Sequence, residues 1–197
     1  MDGPSDDPIG DRQAILETLQ RHQVDFVLIG GVAAQTHGWT GQTQDIDVTP
    51  AADDTNLARL AGAAREMSAL LRVAGYEQGF DPPGGIDERT FRAMQSVSLL
   101  TRHGQIDVAM IPDGTRGYDD LARRATYERA ANTTLTVLVA HPDDIVRSKT
   151  SAGRAKDRAQ LPAMIEDFAR PHDDNTRDRA AEAPERLDRD HDTGLEL

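Results

Sequence analysis

The chain contains no cysteine, which excludes disulfide frameworks, thiolate metal sites and cysteine nucleophiles together. Aromatic residues are scarce at 4%, and lysine occurs only at Lys149 and Lys156, so where a compact ammonium survives among so many arginines its point charge is of interest. Long hydrophobic runs are missing as well. The longest, "FVLI" and "TVLVA", have strand length, so no signal-like or membrane-spanning segment is read and a soluble cytoplasmic protein is expected. A length of 197 residues suits one packed domain.

Positive charge is in deficit. The formal net charge of -12 argues by itself against a nucleic-acid binder, since phosphate contacts need a basic footprint. The deficit is uneven, however. From Pro171 to Leu197 nine acidic residues face four arginines, a net of -5, with almost nothing able to bury apolar surface. Residues 171–197 are therefore expected to be a disordered acidic tail, residues 1–10 a flexible N-terminus, and residues 11–170 the folded domain.

Within that domain, Asp11 is placed to cap a helix over "RQAILETLQRHQ", followed by a buried strand "VDFVLI". Gly30 and Gly31 end the strand, "VAAQTH" reads as a short helix, "GWTGQTQ" as a loop and "DIDVT" as a strand. The spacing of Leu57, Leu60, Ala64, Met67 and Leu71 predicts one long helix, capped by Asp54 or Thr55 and stopped at Gly75. "GFDPPGGID" reads as loop. "SVSLLT" and "QIDVAMI" predict a hairpin turning near His103 and Gly104. A short helix "YDDLARRA", a strand pair near "TYERA" and "LTVLVA", a helix opened by Pro142 and a last helix kinked or shortened by Pro162 complete the pass. Helices and strands mix without strict alternation, which gives an α+β (mixed α/β) class with a central mixed sheet flanked by helices.

The chemistry concentrates in "IGGVAAQTHGWTGQTQDIDV". Alternate residues of a strand share a face, so Asp45 and Asp47 project together about 7 Å apart along the strand while Ile46 and Val48 face the core. Paired hard-oxygen ligands on a rigid strand suit Mg²⁺, and Asp107 in "QIDVA" becomes a third if its hairpin lies beside the Asp45 strand. Gly30 and Gly31, lacking Cβ, let backbone N–H groups approach phosphates. Thr43, two residues before Asp45, would turn its hydroxyl toward the same side. A phosphate on it would place about two negative charges where a triphosphate must sit, switching off any enzyme built there.

This pattern resembles the polymerase-β-type nucleotidyltransferase signature. Together with "AHPDDIVRSKTSAGRAKDRAQL", it is more narrowly similar to the AbiEii/MenT nucleotidyltransferase toxins of bacterial toxin–antitoxin systems, over residues 26–165. The resemblance implies a nucleotidyltransferase domain that moves NMP from an NTP to the 3′ acceptor end of tRNA, blocking aminoacylation, with a cognate antitoxin protein as partner. It implies Asp45, Asp47 and Asp107 as metal ligands and Lys149 on the triphosphate, with Asp157 completing the catalytic set. Gly30, Gly31 and Thr43 would line the nucleotide site. Arg147, Arg154, Lys156 and Arg158, the most basic stretch of the chain, are the RNA-contact candidates. Gly31 stands where many of the superfamily have Ser, and Gln42 where relatives often have Arg. Two alternatives remain open: an antibiotic nucleotidyltransferase, whose aminoglycoside acceptor would suit the acidic balance, and a non-catalytic binding protein on the same fold.

Overall fold

A computed structural model describes residues 11–170; the expected flexible N-terminus and acidic tail lie outside the described residues. The fold starts with helix α1 (Arg12–Arg21), capped as the sequence indicates by the Asp11 carboxylate, which accepts from the Ala14 N–H at 2.9 Å. Strand β1 (Phe26–Ile29) follows, buried throughout, then α2 (Gly30–Thr36) and β2 (Asp45–Pro50). Next come α3 (Asp54–Glu66), the hairpin of β3 (Leu70–Val73) and β4 (Tyr76–Phe80), and α4 (Glu88–Ala93). The second hairpin, β5 (Ser96–Thr101) with β6 (Gly104–Ala109), leads to α5 (Tyr118–Ala122), then β7 (Thr126–Arg129) and β8 (Thr136–Val139), and finally α6 (Pro142–Ala152) and α7 (Ala155–Ala169).

The described residues form an α+β domain on one eight-stranded mixed sheet of order β4-β3-β5-β6-β2-β1-β8-β7. Strands β2 and β6 run parallel with Asp47 opposite Asp107, while β5 and β6 form the expected antiparallel hairpin with Ser98 opposite Asp107. Burial alternates along these strands: Ile46, Val48, Val97, Leu99, Ile106 and Val108 are buried in the core, and Asp45, Asp47, Ser98 and Asp107 lie on the other, partly open face. A one-residue slip would exchange the two sets, so core burial itself holds the carboxylates on the open face.

Four expectations are corrected. The helix predicted to run to Gly75 stops at Glu66, because Ser68 takes a left-handed conformation (φ 55°) and Leu70–Val73 instead pairs with β5. The apolar spacing that carried the pattern to Leu71 belongs to a strand, and Gly75 sits in the β3–β4 turn. The cap of α3 is Asp53, not Asp54 or Thr55; its carboxylate accepts from the Asn56 N–H at 3.0 Å. Asn56 is buried and satisfied in turn, donating to the carbonyls of Asp25 and Ala51 at 2.9 Å each. Helix α7 passes through Pro162 without being shortened. Beyond the proline it is anchored by buried Met164 and by Asp167, whose carboxylate accepts from the N–H and hydroxyl of Thr40 at 3.1 and 3.2 Å. The segment read as loop also loses Gly79 and Phe80 to β4.

Candidate active site

The parallel pairing of β2 with β6 turns three separate sequence positions into one group. Carboxylate oxygens of Asp45, Asp47 and Asp107 all lie within 4.8 Å of one another, each residue partly buried. Burial and the neighbouring charges of Asp45 and Asp107 push the Asp47 carboxyl up to about 7, against the pull of Lys149 and the Gly31 N–H. Three acids on rigid strands, with one driven to retain its proton for want of a counter-charge, fit a divalent cation bound by oxygen.

Gly30 and Gly31 are required by what they touch. Gly30 sits at φ 71° with the Asp47 carboxylate directly against it, so an added Cβ would run into that side chain. A Cβ on Gly31 would overlap the Thr43 side chain, and the Gly31 N–H reaches toward Asp47 Oδ2 at 3.4 Å. The Thr43 hydroxyl donates to Asp45 Oδ1 at 3.0 Å. Thr43 thus fills the space that a serine side chain at position 31 would take, so the cleft keeps a hydroxyl there. Buried Arg12 braces this loop from behind, donating to the Thr43 carbonyl and, at 2.9 Å, to Gln35 Oε1, while Gln35 donates to the Gly41 carbonyl at 2.7 Å.

A cleft of about 710 Å³ opens over the triad. Among the sequence-predicted residues it is lined by Gly30, Gly31, Thr43, Asp45, Asp47, Asp107, Lys149, Arg154, Lys156 and Asp157. Lys149, on α6, reaches across the α6–α7 junction to Asp157 Oδ1 at 3.0 Å, and Gln160 Oε1 lies 3.4 Å away. Asp157 is buried and engages Lys149, so it orients the ammonium and does not join the triad. The basic stretch divides. Arg154 and Lys156 face the cleft, whereas Arg147 is held by Asp120 and Asp144 at 2.8 and 3.1 Å, and Arg158 donates to the Gly153 carbonyl. Neither Arg147 nor Arg158 lines the cleft.

Sequence reasoning missed Arg72, Gln105 and Trp39, all of which line the cleft. Arg72 had been read inside a helix. Gln105 was legible in principle, because it precedes Asp107 by two residues in a strand and so shares its face. Trp39, the single tryptophan, is 5% exposed and packs over Gly41, where a Cβ would meet its ring.

No family model matches the sequence, and no curated protein matches it. Among solved structures, the antibiotic-resistance factor ANT(2′′)-Ia is similar with a TM-score of 0.50 at 10% identity, covering 78% of this chain and 80% of that one. A lincomycin-bound lincosamide antibiotic adenylyltransferase aligns with a TM-score of 0.49 at 12% identity, over 77% of this chain and 92% of that one. The chain shares the mixed α+β fold of ANT(2′′)-Ia. At such identities the likeness is one of fold, and activity has to be argued from the residues of the site.

Proposed function

We propose that the protein is a Mg²⁺-dependent nucleotidyltransferase of the AbiEii/MenT toxin type, transferring NMP from an NTP to the 3′ end of tRNA and so blocking aminoacylation and translation. The observation that carries this reading is the convergence of Asp45, Asp47 and Asp107 within 4.8 Å beneath a cleft that also holds Lys149. Asp45, Asp47 and Asp107 would hold the divalent ion, which when bound neutralises charge on the phosphates of the nucleotide. Gly30 and Gly31 leave room for the triphosphate beside them, and Thr43 offers it a hydroxyl. Lys149, steadied by Asp157, presents a positive point charge to the departing pyrophosphate. Asp107 takes the proton of the attacking 3′-hydroxyl on a carboxylate oxygen. The new bond joins that 3′-oxygen to the α-phosphorus, the bond from the α-phosphorus to the α–β bridging oxygen breaks, and pyrophosphate leaves with the electron pair. Catalysis is positioning and charge neutralisation, so either metal-binding aspartate on β2 is indispensable.

A second reading shares these catalytic residues: transfer to a hydroxyl-bearing antibiotic, favoured by the acidic chain and equally by the fold likeness. One assay separates the two. Purified protein is incubated with Mg²⁺, total tRNA and each labelled NTP in turn, in parallel with an aminoglycoside acceptor and with the Asp45→Ala variant. Label on tRNA that is absent in the variant is the expected result. Label on the aminoglycoside alone would transfer the assignment to the second reading, and tRNA labelling by Asp45→Ala equal to wild type would remove the catalytic role of the triad. A non-catalytic protein on this fold would bind NTP and Mg²⁺ by isothermal titration without labelling either acceptor.

A further inference from the structure

Beyond the triad, two of the four cations that line the cleft are paired. Lys149 is neutralised by Asp157, and Arg154 lies 4.0 Å from Asp113. Arg72 and Lys156 have no carboxylate partner among the described residues. Both line the cleft, Lys156 from α7 and Arg72 from β3, two strands beyond β6 and so roughly 10 Å from it across the sheet. The Arg72 guanidinium is not idle. Its Nη1 donates to Gln105 Oε1 at 2.9 Å, and Gln105 pairs with Asp45 in the sheet and shares a face with Asp107. A polar track therefore runs from the triad through Gln105 to Arg72, with four guanidinium donors still open to a ligand.

The track continues. Arg72 also borders a second hollow of about 440 Å³ at the β3–β4 hairpin, lined by Gly75, Tyr76, Glu77 and Ser98 as well. Tyr76 is 54% exposed, yet its ring is held edge-on by Phe80 at a centroid distance of 5.3 Å. Tyr76 pairs with Val73, however, so this ring lies on the opposite face of the hairpin from Arg72, and what the cleft offers to a backbone phosphate of a polyanionic acceptor is the guanidinium without a carboxylate partner. Lys149 and the glycines occupy the β1 and β8 side of the triad, so the hairpin side is the one left for the acceptor.

We propose that the β3–β4 hairpin is the acceptor-binding arm. Arg72, oriented by Gln105, holds a backbone phosphate just behind the reacting 3′-hydroxyl of a single-stranded RNA end. This rests on the nucleotidyltransferase reading but is tested apart from it. A 5′-fluorescein-labelled, single-stranded RNA dodecamer with a free 3′-hydroxyl is titrated by anisotropy against full-length protein without metal or NTP. Wild type, Arg72→Ala, Arg72→Lys and, as a control on the opposite face of the hairpin, Tyr76→Ala are compared over a range of salt. Arg92→Ala, which removes an exposed arginine on α4 that pairs with Asp54, controls for net charge.

Arg72→Ala is expected to weaken binding roughly tenfold and to lower the slope of log K against log salt by about one, with Arg72→Lys intermediate. Tyr76→Ala, on the opposite face of the hairpin, and Arg92→Ala are expected to bind like wild type. In tRNA labelling, Arg72→Ala should raise KM for tRNA and leave KM for NTP unchanged. No RNA binding by wild type, or equal binding by wild type and Arg72→Ala, overturns the proposal even where transfer to some acceptor is intact. RNA binding that depends on Arg72 in a protein that labels nothing keeps the arm and removes the transferase reading. Faster labelling of an aminoglycoside by Arg72→Ala would show that the arm repels a cationic acceptor, and would overturn it.

Discussion

If the triad is arranged to hold a cation, the metal-free protein carries an electrostatic cost that one substitution should relieve. Asp47→Asn keeps the shape and the acceptor facing the Gly31 N–H, but removes the charge that burial and its two neighbours penalise. Its folded-state value of about 7, against the ordinary 3.8, is a displacement of about three pH units. At about 1.36 kcal/mol per unit, ionised Asp47 costs the fold on the order of 4 kcal/mol. The direction follows from proton linkage. Between these two values the native state binds more protons than the unfolded chain, so the stability permitted by the protonated form is fully present below pH 3.8. It declines as pH rises and is lost above about 7.

Asp47→Asn should therefore raise Tm in chelator at pH 8 by roughly 8 to 16 °C, as a domain of this size shifts about 2 to 4 °C per kcal/mol. At pH 5 the gain should shrink to less than half. Differential scanning calorimetry at the two pH values reads both numbers. Added Mg²⁺ should raise the Tm of wild type at pH 8, by about 2.7 kcal/mol of stability at a hundred times its dissociation constant, and barely move that of the variant. A variant no more stable than wild type at pH 8, or a gain that ignores pH, would refute the electrostatic reasoning. It would mean that the three carboxylates are screened from one another and do not form a cation site.

Three other expectations follow from the same geometry. Lys149→Met should abolish transfer and, by leaving Asp157 buried without its cation, cost about 3 kcal/mol in urea unfolding; adding Asp157→Leu should restore stability without restoring transfer. Gly31→Ser should lower both stability and NTP binding because its side chain overlaps Thr43 from Cβ outward, and Gly31→Ser with Thr43→Gly, which removes that Cβ as well, should recover much of both, a coupling of at least about 1 kcal/mol in a double-mutant cycle. Trp39, alone of its kind and at the cleft wall, should change its fluorescence as NTP is titrated with Mg²⁺, and the metal-dependent part of that change should vanish in Asp45→Ala.

The parts of the fold that place the triad were legible because two independent patterns agreed there. Period-two alternation in "DIDV" and in "QIDVA" named both the buried and the open face, and the short turn at His103 forced β5 and β6 together. That β6 lies beside β2 stood only as the condition for a third ligand, since nothing but a shared ligand links residues 45 and 107 in the sequence, and the parallel direction of the pair was not legible there. Where local pattern and tertiary pairing competed, pattern misled. Leu70 and Leu71 extend a helical series as well as they begin a strand, and only the partner β5 decides between the two. That one ambiguity hid Arg72. The division of the basic stretch was hidden for a related reason: Arg147 and Arg154 look equivalent along the chain, but Asp120 is 27 residues from Arg147 and takes it only once α5 packs near α6.

The same topology explains why Lys149 brings the cleft no uncompensated charge. Helices α6 and α7 meet at a left-handed Gly153, which brings Lys149 and Asp157 together from positions eight residues apart and buries the pair against the cleft wall. A paired lysine holds one orientation, which suits a group that must meet a triphosphate at a fixed place. It adds little long-range attraction, however, because its charge is cancelled nearby. Steering of a polyanionic acceptor then falls to the unpaired cations that line the cleft, Arg72 and Lys156. Association with RNA should therefore be more sensitive to salt than binding of NTP, whose affinity depends on the triad and on a pair already desolvated. Measured over the same salt range, an NTP slope as steep as that for RNA would contradict this division of labour between the centre of the cleft and its edges.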